Sequence, residues 1–315
     1  MEKTLLLPEQ RVREIMDSLS AVSVDDSAIP GPHYILPQWA MFLVVLLLLG
    51  IFYLAHVYLP QKKEREEAER KDEEVATKLM LNRSRYERWL SVHNPYFASL
   101  PPGLQQIFLH RTLRFMQDKE FRFHHLPYDE FIMVLISGSA VQLTLGLKNY
   151  LMEFFKMIHV IKTEYTLKLD NETYYGHVSK TGIYISWDHF VKGYADYGDG
   201  SNVGLHEMAH AVSFDIFLGE IDRHDIAFHS RLEEFMEEGR PVFRGLRKKE
   251  HPVLEQHAAV NIDEFWAVCV ETFFENPEEF QRNLPDLYLT IVLLLNQDPL
   301  KPSKIVNSEL AGYEC

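Results

Sequence analysis

The stretch "GLHEMAHAV" (204–212) places His206, Glu207 and His210 in the spacing His-Glu-x-x-His. On a helix, residues four apart share one face. Both imidazoles then reach one ion, with ring nitrogens about 2.0–2.1 Å from a zinc. Glu207, beside the first ligand, offers a carboxylate to a water at that ion and can serve as its base. Val203, Gly204, Leu205, Met208, Ala209, Ala211 and Val212 are uncharged. Such a helix can be buried with only its three polar side chains facing a cleft, as metal-assisted hydrolysis requires.

A catalytic zinc takes three protein ligands and keeps a fourth position open, so a third ligand is needed. One arrangement, with Gly and a third His at fixed spacing, is excluded because those positions hold Ser213 and Ile216. Glu233 and Glu234 lie at a spacing known for a helix-borne glutamate ligand, but "LEEFMEE" (232–238) also reads as an exposed acidic face. His224 and His229 are five apart and share no face well. Glu264 is the better candidate. It lies in "HAAVNIDEFWAVCVETFFENPEEF" (257–280), among Phe265, Trp266, Val268, Phe273 and Phe274. An inward carboxylate there is costly unless paired or bound to metal. Glu271, seven residues on and nearly on the same face, is positioned to hydrogen-bond a ligand histidine or to make an ordinary ion pair.

The elements that must hold these residues are mixed. Residues 103–120 have helical periodicity, and 131–155 read as helical with breaks. "HVIKTEYTLKL" (159–169) and "HVSKTGIYISW" (177–187) alternate in the manner of strands. "GYADYGDGSN" (193–202) reads as a loop before a motif helix over about 203–217. A helix over 222–239 is expected to close at Gly239. Another, over 261–280, is expected to start at Asn261 or Asp263. The soluble part is therefore expected to be α+β, with helices around a small mixed sheet.

Residues 38–59, "QWAMFLVVLLLLGIFYLAHVYL", hold an apolar run long enough to span a hydrocarbon core of about 30 Å. Trp39 lies at one end and Tyr53 and Tyr58 near the other, as interfacial aromatics do. Lys62, Lys63, Arg65, Arg70, Lys71 and Lys78 follow it, while residues 20–38 hold no Lys or Arg. Positive charge stays inside. The expectation is one pass of the cell (inner) membrane, the C-terminal part cytoplasmic and the N-terminal tail outside. "QKKEREEAERKDEEVATKLML" (61–81) continues as a solvated helix. The second apolar stretch, 131–147, is short and carries Ser137, Gly138, Ser139, Gln142 and Thr144. It reads as a buried core helix. The expected divisions are a tail (1–37), a transmembrane helix (38–60), a charged stalk (61–99), a globular domain (100–300) and a C-terminal tail (301–315).

The chain of 315 residues has a net charge of −14. Nucleic-acid binders need a basic surface, so that class is excluded. Cys269 and Cys315 make no disulfide framework and no Cys-x-x-Cys knuckle.

"GLHEMAHAVSF", "HAAVNIDEFWAVCVETFFENPEEF" and "GIYISW" (182–187) together resemble the MtfA family of zinc peptidases, whose catalytic core is related to that of anthrax lethal factor. The resemblance covers roughly residues 100–298. It implies a zincin-like fold and a zinc metallopeptidase with one Zn²⁺ per chain. The ligands would be His206, His210 and Glu264, with Glu207 as general base and a peptide or protein as substrate. The family usually has a tyrosine seven residues before the glutamate ligand, stabilising the oxyanion; here that position is His257, whose ring N–H can also donate. "GIYISW" is expected to be the sheet edge to which an extended peptide adds. The anchor departs from the soluble members of the family. The rival reading is a membrane-tethered protein that sequesters a cytoplasmic regulator, with zinc structural or vestigial.

Overall fold

The computed structural model describes Asp17 and residues 38–302, apart from 168–171, 219–225, 247 and 249–252. Except for Asp17, the expected N-terminal tail lies outside the described residues, as do 303–315 with Cys315 and, within the chain, His224.

Helix α1 (Gln38–Tyr53) passes through a π-helical turn (Leu54–Tyr58) into α2 (Leu59–His93). The run from Trp39 holds the one stretch, among the described residues, long and apolar enough to cross a membrane, and none of that stretch is buried in protein. The charged part of α2 is exposed over 61–70 apart from half-buried Ala68, and one side of the helix becomes buried further on. Val75, Tyr86 and Leu90 are buried in the core. Asp72 pairs with Arg114 at 3.0 Å, and Lys71 with Asp118 at 3.4 Å.

Helix α3 (Pro95–Ser99) starts where Asn94 accepts the Phe97 N–H at 2.8 Å, a side-chain cap for an otherwise orphaned donor. Helix α4 (Pro102–Asp118) follows, and then strand β1 (Glu120–His124), for which the sequence carried no strand expectation. Helix α5 (Glu130–Thr144) is the second apolar stretch, and it is buried as expected. Its polar residues turn to internal partners. Thr144 donates to the Ala140 carbonyl at 2.8 Å, and the Gln142 side-chain carbonyl accepts from Asn94 at 2.9 Å and from Tyr194 at 3.0 Å.

Strands β2 (Met157–Ile161), β3 (Tyr165–Thr166), β4 (Thr173–Tyr174), β5 (Gly176–Ser179) and β6 (Gly182–Ser186) come next. The main sheet has the order β1-β2-β6-β5. β1, β2 and β6 run parallel, and β5 is antiparallel to β6. β3 and β4 form a separate ribbon. "GIYISW" is therefore not the sheet edge. β6 is paired on both sides, because Ile183 and Ile185 are fully buried and a strand between two neighbours protects them best. The edge on that side is β5.

The sheet's two faces differ. Ile158, Val160, Ile183 and Ile185 point into the core. On the opposite face His124, His159, Tyr184 and His177 stack ring on ring across all four strands, with centroids 5.2, 4.2 and 4.1 Å apart. Burial lowers the pKa values of His159 and His177, so their neutral rings stack as aromatic cross-strand pairs do.

The rest is helical: α6 (Trp187–Ala195), α7 (Val203–Leu218), α8 (Ile226–Leu246), a 3₁₀ turn (Gln256–Ala259), α9 (Ile262–Glu275), α10 (Pro277–Asn283) and α11 (Pro285–Leu295). Gly239 does not end its helix. α8 continues through Pro241, and Gly239 instead makes room for Phe265, whose ring carbon lies 2.6 Å from where a Cβ would stand. The expected single helix over 261–280 breaks at Asn276, which leaves helical geometry before Pro277 opens α10.

Candidate metal centre

Two antiparallel helices build the site. α7 carries His206, Glu207 and His210; α9 carries Glu264 in its first turn. Asn261 caps α9 by accepting the N–H groups of Asp263 and Glu264 at 2.8 and 2.9 Å. Trp266 fastens the pair from within, donating its indole N–H to the buried Ala209 carbonyl at 2.9 Å.

His206, His210 and Glu264 each contribute one atom to a group lying within 4.8 Å of one another. The His206 and His210 Nε2 atoms are 3.1 Å apart. The Glu264 carboxylate is 3.1 Å from His206 Nε2 and 3.5 Å from His210 Nε2. Ligands held about 2.0–2.1 Å from a tetrahedral ion stand about 3.3 Å from one another, so these spacings fit a zinc. Glu233 and Glu234 are exposed on α8, outside this group. His229 lies on the same helix and is likewise outside the group.

Glu271 lies two turns beyond Glu264 on the same face of α9. Its Oε1 is 2.5 Å from His206 Nδ1, and its Oε2 accepts the Asn202 backbone N–H at 2.6 Å. Nδ1 of His206 is thus engaged by Glu271, which leaves its Nε2 facing His210 and Glu264. The sequence left Glu271 between this role and an ordinary ion pair. The geometry gives it the histidine.

The electrostatics favour a cation. Burial pulls the His206 pKa down, but the adjacent Glu271, then Glu264, override it and hold it well above the usual value. Burial likewise works against the Glu264 carboxylate, yet His206 and His210 hold its pKa well below the ordinary range. Two buried oxygens, Glu264 Oε2 and Glu207 Oε2, make no hydrogen bond of good geometry. Such oxygens are costly unless a cation or a water meets them. Two imidazoles and a carboxylate are a donor set suited to zinc.

Glu207 is buried beside the histidine pair. Burial, with Glu264 and Glu271 adding to it against the opposing pull of His206, pushes its pKa up to about 8. Its side chain lies on the β5 backbone: a Cβ on Gly176 would stand 2.4 Å from Glu207 Oε1 and 2.5 Å from Cγ. Nothing in the sequence signalled this contact, which joins a strand to a helix some thirty residues away. His257 sits on the 3₁₀ turn, its side chain 55% exposed, with Nε2 2.8 Å from Glu264 Oε2. It borders the three converging atoms without belonging to their group.

No curated protein matches this sequence. A family model does match, over residues 66–294: that of the glucose-regulated metallo-peptidases M90. The match covers most of the chain and contains both helices of the site, and the chain belongs to that metallopeptidase family, the MtfA family.

Proposed function

We propose that this protein is a membrane-anchored zinc metallopeptidase that hydrolyses peptide bonds. His206, His210 and Glu264 hold one zinc per chain, Glu207 is the general base and His257 supports the oxyanion. The observation that carries this reading is the convergence of three ligand atoms beside a buried carboxylate with a partnerless oxygen. Zinc, when bound, supplies a Lewis acid that acidifies water and polarises a carbonyl. Glu207 takes the proton of the attacking water and passes it to the leaving amine nitrogen. Glu271 keeps His206 in the tautomer that ligates. Strand β5, paired only to β6 among the described residues, offers an edge for an extended peptide. The contact between Gly176 and Glu207 brings that edge to the base.

The apolar helix from Trp39 supports an anchor in the cell membrane, and the basic residues after it support a cytoplasmic catalytic domain. The substrate is then a cytoplasmic peptide or protein.

The test is metal content by elemental mass spectrometry on the full chain in detergent, as wild type and as Glu264→Gln. The expected result is about one zinc per wild-type chain and most of it lost from the variant. A folded wild type without zinc overturns the enzyme reading and leaves the tethered binder in front.

His257 has its own test. His257→Phe is expected to lower kcat by about a hundredfold or more, as loss of one oxyanion donor does, with zinc content unchanged. His257→Tyr returns most of the rate, because the phenol restores a donor. Equal rates in all three proteins would remove His257 from the mechanism.

A further inference from the structure

Resting on that reading, a second pair of residues bears on the zinc ligands without touching the ion. Asn202 immediately precedes α7 and is completely buried. Each of its polar groups is engaged. Its side-chain carbonyl accepts the Leu205 N–H at 3.1 Å, and its backbone carbonyl accepts the His206 N–H at 2.8 Å. Its backbone N–H donates to Glu271 at 2.6 Å, and its side-chain amide donates to Glu275 Oε1 at 3.0 Å. The other Glu275 oxygen accepts the Gly200 N–H at 3.0 Å.

Glu264, Glu271 and Glu275 occupy positions i, i+7 and i+11 of α9, one face of a helix. In the same order they meet His210 with His206, then His206 and the Asn202 backbone N–H, then the Asn202 side-chain amide. The antiparallel helices are thus joined by three acidic side chains in a row: Glu264 within the ligand cluster, Glu271 on the far nitrogen of His206, and Glu275 on Asn202. A buried carboxylate satisfied by two neutral donors is a net cost to folding. A neutral side chain would join the two helices at lower cost. What Glu275 adds is an acceptor on both oxygens, one for Asn202 and one for Gly200, which ties two points of the segment ahead of α7 to the end of α9.

We infer that Asn202 and Glu275 are positioning residues for the metal centre: together they set the axial register of α7 on α9, and so hold His206 Nε2 at ligand distance from Glu264. Asparagine is an N-cap residue that can accept with its carbonyl and donate to Glu275 with the amide of the same side chain. Aspartate keeps the cap and loses the donor. Serine keeps a cap and is too short to reach the carboxylate.

The experiment is zinc affinity by chelator competition on the full chain in detergent. Circular dichroism and the melting temperature of each metal-stripped protein are measured alongside. The variants are Asn202→Asp, Glu275→Gln, the two combined, and the milder Asn202→Ser. Asn202→Asp sets two buried carboxylates against each other. Glu275→Gln turns an amide against a donor. Each is expected to weaken zinc binding about tenfold or more, the range for outer-shell partners of metal ligands. Asn202→Ser weakens it less and covers the case in which a harsher single variant fails to fold. The double variant restores every hydrogen bond with the roles exchanged. The amide introduced on α9 donates to the carboxylate introduced ahead of α7, and its carbonyl accepts from Gly200. Its affinity is expected to return to near the wild-type value. If the folded single variants bind zinc as the wild type does and only their melting temperature falls, the pair is merely structural and the inference is overturned. A double variant as weak as the worse single overturns it too. A wild type that takes up no zinc overturns the site reading itself, a separate outcome.

Discussion

Glu207→Gln is expected to lower peptide turnover by about 10²–10⁴-fold, the range for losing a positioned acid–base group, while the zinc stays bound. The amide is nearly the size of the carboxylate and fits the same buried place against β5. It cannot take a proton from water. The proposed ligand atoms belong to His206, His210 and Glu264, so on that reading the metal has no reason to leave. The change also removes a buried carboxyl group whose pKa lies near 8, so the protein should fold at least as well as wild type. Turnover of a quenched fluorescent peptide and zinc content of the same sample decide the matter. A variant that keeps both its zinc and the wild-type rate shows that Glu207 is not the base.

The second large effect is expected at a residue with no functional group. Gly176→Ala puts a methyl 2.4–2.6 Å from Oε1, Cγ and the carboxyl carbon of Glu207, closer than any real contact. Either β5 moves out or the base swings away. A displacement of about 1 Å at a catalytic group costs on the order of a hundredfold in rate. The expected outcome is a fall of that size in kcat with zinc content unchanged. If instead Gly176→Ala loses its zinc, the damage has spread through α7, and β5 supports the metal helix rather than the base alone. If kcat is unaffected, the strand and the base are not in close contact.

How much of this was legible in the sequence depended on how local each signal was. His206, Glu207 and His210 lie within one helical turn and a bit, so spacing alone set them on one face. Glu264 was legible as a candidate because a carboxylate among Phe265, Trp266 and Phe273 needs a reason to be there, Asn261 was legible as one of two helix caps, and Glu271 was left between two roles. The buried nature of 131–147 followed from its shortness and its polar residues. Element ends were less legible. Gly239 reads as a helix stop, yet α8 runs on through it, and the glycine there makes room for the Phe265 ring. β6 alternates as an edge strand would, and its interior position depends on partners at 158–161 and 176–179. The Gly176–Glu207 contact had no local trace at all. Glu275 and Asn202 had a faint one: a third carboxylate in register on an apolar helix, and an asparagine just before the metal helix.

The stretch of α2 from Asp72 to Leu90 has a practical consequence for cutting the chain ahead of the family domain. The family match begins at residue 66, within α2 and ahead of Val75, Tyr86 and Leu90. A protease nick or a gene truncation near Asn82 would strip Val75 and the Asp72–Arg114 pair from the domain, leaving a hole in the core and a buried arginine without its partner. A cut before Glu66 spares all of them. A cut in the short charged stretch between Pro60 and Arg65 is therefore expected to leave a domain that melts at a higher temperature than one cut near Asn82.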